Sequence, residues 1–172
     1  MLEMLVLRHA KSRWGEPGTT DHDRTLAPRG VEAAKRMGRL IRERDWLPDR
    51  ILCSTAARAS ATLALAMAMW PEHAVPAVEH TSRLYMASPQ QLLEVVRAQA
   101  AGCKRLLLVG HNPGMGAFVL RLAGAGEPAV RAAVEEKFPT AALARLGLDL
   151  EQWRNAEWGS ARLLDFIRPK DL

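Results

Sequence analysis

Long apolar runs are missing from this chain. The longest, Ala61 to Trp70, falls far short of the ~20 residues that a membrane-spanning helix needs, so no membrane partner is expected. Cysteine is scarce as well. Cys53 and Cys103 form no Cys-x-x-Cys pair and have no histidines at metal-ligand spacing. They offer neither a disulfide framework nor a zinc site, and Cys53, within an expected strand, reads as a buried free thiol. No charged leader, long apolar region or small-residue cleavage site precedes the first strand, so a cytoplasmic location is expected.

One tyrosine, three phenylalanines and five tryptophans leave few platforms for stacked bases. The charge balance, 24 Lys and Arg against 19 Asp and Glu, gives +5 and a pI near 9.8. That suits an anionic partner, but the arginines never gather into a basic block, so nucleic acid is not the expected one. Gly110-His111-Asn112-Pro113-Gly114-Met115-Gly116 lacks both the Gly-x-Gly-x-x-Gly spacing and the Gly-Lys of a triphosphate-binding loop, and it reads as a helix start.

What the chain does contain is a regular alternation. Its 172 residues fit one domain, 1–172, with room for a sizeable core and no linker or internal repeat. Strands are expected at 3–8, 50–54, near 77–80, at 104–109, near 141–148 and at 160–167. Helices are expected at 28–44, 56–69, 89–100 and 113–123, with a turn-rich stretch from there to about 139. This order argues for an α/β sandwich with a largely parallel sheet.

Val31, Ala34, Met37 and Ile41 recur at helical spacing behind Pro28, a first-turn residue, although Ala27 offers no capping oxygen. Ser54 or Thr55 is expected to cap the helix carrying Arg58. Asn112 is expected to cap the helix that Pro113 begins. The connection 9–27 is long and without periodicity, which suggests a flexible rim over a site. Trp14 and Trp153 are expected to pack or to anchor loops.

Three strands end on polar residues. Leu5-Val6-Leu7 runs into Arg8 and His9, Ile51-Leu52-Cys53-Ser54-Thr55 into Arg58, and Leu106-Leu107-Leu108-Val109-Gly110 into His111. Ligands of open α/β sheets bind beyond the carboxyl ends of the strands, so parallel strands would gather these four side chains in one crevice. Two guanidiniums with two imidazoles suit a phosphate. A neutral imidazole has a lone pair for attack on phosphorus if its other nitrogen donates to an acceptor, and guanidiniums grip phosphoryl oxygens bidentately. The expected cycle is in-line attack by His9, a phosphohistidine enzyme, then attack by water. The arginines supply the counter-charge, so no metal or cofactor is expected.

Leu7-Arg8-His9-Ala10-Lys11-Ser12 resembles the Arg-His-Gly signature of the histidine phosphatase (phosphoglycerate-mutase-like) superfamily. Asp21-His-Asp-Arg24-Thr-Leu-Ala-Pro-Arg29-Gly30, Ser54-Thr-Ala-Ala-Arg58-Ala, Leu84-Tyr85-Met-Ala-Ser88-Pro89 and Val109-Gly110-His111-Asn112-Pro113 narrow the resemblance to the small SixA-like phosphohistidine phosphatase branch. The resemblance implies a three-layer α/β/α sandwich, His9 as the phosphorylated residue, and Arg8, Arg58 and His111 completing the phosphate pocket. It places Asp21 and Arg24 at the pocket rim as substrate-binding residues.

Ala10 and Lys11 stand where many members have Gly-Glu, and Lys11 is expected to point to solvent. Larger members carry a glutamate acid just after the region corresponding to 80–84. Here Arg83 precedes Leu84 and Glu79 is off register, leaving Asp21, Asp23 or no residue as the acid. Proton donation is typically worth ~10²–10⁴-fold, so its lack favours a phosphoramidate, which is readily protonated on nitrogen, over a sugar phosphate. The expected function is a phosphohistidine phosphatase acting on a phosphorylated protein. The alternatives are a small-molecule phosphomonoesterase acting on a phosphorylated metabolite, and a non-catalytic phosphate-binding module.

Overall fold

In the computed structural model, which describes residues 1–74 and 76–172, the alternation becomes seven strands and five α-helices. The strands are β1 (Leu2–Arg8), β2 (Arg50–Ser54), β3 (Ala77–Thr81), β4 (Arg105–Gly110), β5 (Ala123–Gly126), β6 (Leu143–Leu148) and β7 (Ala161–Ile167). The helices are α1 (Pro28–Glu43), α2 (Ala57–Met67), α3 (Pro89–Arg97), α4 (Gly114–Leu122) and α5 (Pro128–Glu136). One sheet holds all seven strands in the order β3-β2-β4-β1-β6-β7-β5. Only β6 runs against the others, since it is antiparallel to both β1 and β7 while the remaining pairs are parallel.

The central strands are apolar on both faces, as a sheet covered by helices on each side requires. Leu5 and Leu7 of β1, Ile51 and Cys53 of β2, and Leu107 and Val109 of β4 face the layer containing Met37, Ile41 and Leu63 of α1 and α2. Met4, Val6, Leu106 and Leu108 face the opposite layer, with Leu93 and Val96 of α3, Phe118 of α4 and Val134 of α5. The result is the expected three-layer α/β/α sandwich. Register then levels the strand ends: Arg8 is paired with Gly110, and Cys53 with Val109, one step before Ser54.

Several local expectations need correction. Ala56, not Ser54 or Thr55, is the N-cap of α2, and Ser54 Oγ instead accepts from the Ala56 N–H at 3.2 Å. Pro113, not Asn112, is the N-cap of α4; Asn112 precedes it and its Oδ1 accepts from the Gly116 N–H of the first turn at 3.0 Å. The stretch before 139 contains β5 and α5. β5 reads Ala-Gly-Ala-Gly, with no β-branched or aromatic side chain, and α5 is a short helix whose apolar stripe is little more than Val130 and Val134, one turn apart on the core.

The 9–27 connection is tied at its base. Ser12 bridges Leu26, the Arg13 N–H donates to Thr25 O at 2.8 Å, and the Ala27 N–H donates to Lys11 O at 2.9 Å. Trp153 is buried and donates from Nε1 to Cys103 O at 2.8 Å, whereas Trp14 is 87% exposed.

α1 and α2 meet where Gly38 lies against Ala66, and a Cβ on Gly38 would sit 2.4 Å from Ala66 O. The clash is with backbone and cannot be relieved by a rotamer. Gly38→Ala should therefore destabilise the fold by about 1–3 kcal/mol despite alanine's better helix propensity. Urea denaturation checks this; an unchanged or raised midpoint would contradict the close packing.

Candidate active site

β1 delivers Arg8 and His9 to the carboxyl edge of the sheet, and the chain is then gripped from both sides. The His9 N–H donates to Gly110 O at 3.0 Å, and the Ala141 N–H donates to both Arg8 O and His9 O at 3.1 and 3.0 Å. The Ala10 N–H donates to Thr62 Oγ1 at 2.9 Å, and the Thr62 hydroxyl donates to Arg58 O at 2.7 Å. One relay of hydrogen bonds thus joins the segment carrying His9 to the helix turn carrying Arg58.

His9 is buried, and its Nδ1 lies 2.7 Å from the carbonyl oxygen of Ala10. A carbonyl only accepts, so Nδ1 carries the proton and Nε2 keeps its lone pair in the neutral ring. The His9 pKa is pushed down to about 4, first by burial and then by the charges of Arg58, Arg8 and Arg24, with the Ala10 bond acting the other way. The ring is therefore neutral at physiological pH.

His111 follows β4, its ring centroid 5.2 Å from that of His9. Its Nε2 is 2.7 Å from Ser54 Oγ, and its buried Nδ1 has no partner among the described residues. Burial, then His9 and Arg58, push its pKa down to about 3.

Two guanidiniums complete the arrangement. Arg58 is 2% exposed and donates through Nη1 to Asp21 O at 2.6 Å and through Nη2 to Asp21 Oδ2 at 3.0 Å. Arg8 donates through Nη1 to Phe138 O at 2.9 Å, a carbonyl that also accepts from Asn112 Nδ2. The Nε atoms of both arginines are buried without a partner among the described residues. Burial and the neighbouring charge of Arg58 lower the Arg8 pKa, so the fold holds two like charges close together.

Asp21 and Arg24 stand at the rim. Arg24 Nε donates to Asp21 Oδ1 at 3.1 Å and Arg24 Nη1 to Ser12 Oγ at 3.1 Å. Asp21 is driven down to about 2, chiefly by the hydrogen bond from Tyr85 and then by Arg58 and Arg24, so it is ionised at neutral pH. Asp23 turns away and accepts from the Thr20 hydroxyl at 2.8 Å, while Glu79 pairs with Arg50 on the sheet edge. Neither lines the site.

Arg8, His9, Asp21, Arg24, Arg58 and His111, drawn from distant parts of the chain, all line one cavity of about 340 Å³. Its wall carries four cationic side chains (Arg8, Lys11, Arg24, Arg58) and one carboxylate (Asp21), which makes it an anion site with a neutral imidazole in it. Lys11, expected in solvent, is half-buried and belongs to this wall. Among the described residues no group of three or more His, Cys, Asp or Glu is placed to hold a metal ion, and no helix is long and apolar enough to cross a membrane.

Sequence reading missed the support around these residues. Tyr85, the chain's single tyrosine, donates its hydroxyl to Asp21 Oδ2 at 2.6 Å and stands edge-on to both His111 and His22. It was visible in the Leu84-Tyr85 motif, but nothing in the sequence tied it to Asp21. Ser54, Thr62 and Asn112 act through contacts that only the folded chain creates.

A family model for the histidine phosphatase superfamily (branch 1) matches residues 4–85. An uncharacterized protein of Mycobacterium tuberculosis is 37% identical over 166 residues, covering 95% of this chain and all of that protein. Among solved structures, a candidate phosphohistidine phosphatase SixA from Agrobacterium tumefaciens is 33% identical, with a TM-score of 0.79 over 98% of this chain and 99% of that one. A protein histidine phosphatase SixA solved with tungstate shares the fold, with a TM-score of 0.78 at 20% identity over 99% of both chains. A full-length relative above 30% identity and the Arg-His strand end within the matched segment lead to one conclusion: this chain belongs to the histidine phosphatase superfamily, in its small SixA-like group.

Proposed function

We propose that this protein is a phosphatase that hydrolyses phosphohistidine on another protein through a covalent intermediate on His9. The observation that carries the proposal is the Nδ1–H···O=C bond to Ala10, which leaves Nε2 as a nucleophile beside two guanidiniums. Arg8 and Arg58 take the phosphoryl oxygens, each with an uncommitted Nε, and Arg24 adds charge at the rim. These cations supply the counter-charge that a metal would otherwise provide. His111 contributes a further ring nitrogen close to the transferring group.

The steps balance without a redox partner. The His9 Nε2 lone pair attacks phosphorus in line, and the P–N bond of a substrate protonated on its other ring nitrogen breaks, its electron pair becoming the lone pair of a departing neutral imidazole. A water then attacks the phosphohistidine phosphorus. The P–Nε2 bond breaks, its pair returns to His9, and inorganic phosphate departs.

Substrate class follows from the missing acid. The one carboxylate on the cavity wall, Asp21, is held ionised by Tyr85, Arg58 and Arg24, and so carries no proton for an alkoxide. A nitrogen leaving group needs no such donor beside it. Two free cysteines, Cys53 with its thiol pushed up to about 12, fit a reducing compartment such as the cytoplasm.

His9→Ala should lower turnover of both a phosphohistidine peptide and a chromogenic phosphomonoester by about 10³-fold or more. Wild-type rates in that variant would end the assignment of His9. Better turnover of sugar phosphates than of phosphohistidine in the wild type would move the substrate to the metabolite class.

Nucleophilic competence is present above the His9 pKa and is lost as pH falls through it. Ring-nitrogen NMR titration should place the midpoints of His9 and His111 at about 4 and about 3. Midpoints near 6.5 would contradict the buried, charge-crowded site.

A further inference from the structure

Beside the phosphate cavity lies a groove of about 520 Å³, and Lys11 and Thr140 line both. One wall is the face of α1 from Arg29 to Arg36, two turns spanning ~10 Å, and the other is the chain at 168–170. Ala33, Pro139 and Pro169 supply apolar surface between cationic rims.

Of the five cations on the groove, Arg168 is paired with Asp171 and Arg36 donates to Leu172 O, and the other three are not satisfied in this way. Lys11, Arg29 and Lys170 make no ion pair among the described residues. Glu32, the only acid on the wall, pairs with Lys35, which is not part of the groove, at 3.6 Å. Arg29 also sits in the first turn of α1, which contains no acidic residue and where the helix dipole disfavours a cation. Lys11 is placed firmly: a Cβ on Gly30 would lie 2.1 Å from Lys11 O, so only glycine lets α1 approach so closely.

We propose that this groove docks an acidic polypeptide segment flanking the phosphorylated residue. The inference rests on the phosphatase reading for its substrate and on charge complementarity for its location. A single phosphate would need the cations to converge on one point. Here they are spread along a ~10 Å wall, a span that about three residues of extended chain cover, with carboxylates set against the rim and methylenes on the apolar floor.

The test is fluorescence anisotropy with an unphosphorylated Glu-rich peptide and a Gln-rich control, using the full chain. The Glu-rich peptide should bind more tightly, with an affinity that falls as salt rises. Arg29→Glu with Lys170→Glu should weaken it by about fivefold or more. The neutral pair Arg29→Gln with Lys170→Gln should fall between, and thermal midpoints check that each variant is folded.

Equal affinity for the two peptides, or unchanged affinity in the variants, would overturn the proposal. Displacement of the peptide by inorganic phosphate, at concentrations where chloride of equal ionic strength leaves it bound, would reassign the groove to small anions. Peptide binding without turnover of any phosphohistidine substrate would defeat the phosphatase reading and leave the docking site standing. Turnover with no preference for acidic peptides would do the reverse.

Discussion

One hydrogen bond, from His9 Nδ1 to the carbonyl of Ala10, decides which ring nitrogen holds a lone pair. Most of the surrounding structure serves to keep that donor and acceptor in place. The Ala10 N–H is fixed by Thr62, Thr62 by the backbone of Arg58, and the His9 backbone by Gly110 and Ala141. A histidine with its tautomer set and its pKa lowered to about 4 keeps a free lone pair on Nε2 at neutral pH, which is what the proposed nucleophile requires. It needs no general base, because there is no proton to remove from Nε2.

The site is built against electrostatic preference. Arg8 and Arg58 repel one another, both imidazoles are pushed toward neutrality, and two guanidinium nitrogens and one ring nitrogen are buried without partners among the described residues. Asp21 offsets part of this by clamping Arg58 and Arg24, and Tyr85 holds Asp21 in turn. A dianion in the cavity would satisfy those same donors, which is the chemistry of an oxyanion site. Rigid sandwich packing beneath the strand ends supplies the stability that such an arrangement costs.

Much of this was legible in the chain. Strand ends carry register information: once β1, β2 and β4 are parallel neighbours, Arg8, His9, Ser54 and His111 must share an edge, and apolar runs ending in polar residues reveal that. Arg58 was legible because it follows β2 in the first turn of a helix. β5 was not, because alternating Ala and Gly leave no strand pattern, and α5 was passed over because its stripe of Val130 and Val134 spans a single turn. Tyr85 was out of reach for another reason: its contact with Asp21 spans sixty-four residues and depends on the fold of the 9–27 connection. Lys11 failed because its exposure is set by α1, which packs against its backbone through Gly30.

The most direct measurement is the position of the phosphoryl group on the trapped enzyme. Rapid quench with a labelled substrate, followed by mass spectrometry and phosphorus NMR of the isolated peptide, should find an acid-labile, alkali-stable phosphoryl on Nε2 of His9. A phosphoryl on Nδ1 of His9, on His111, or in acid-stable linkage to serine or aspartate would contradict the account.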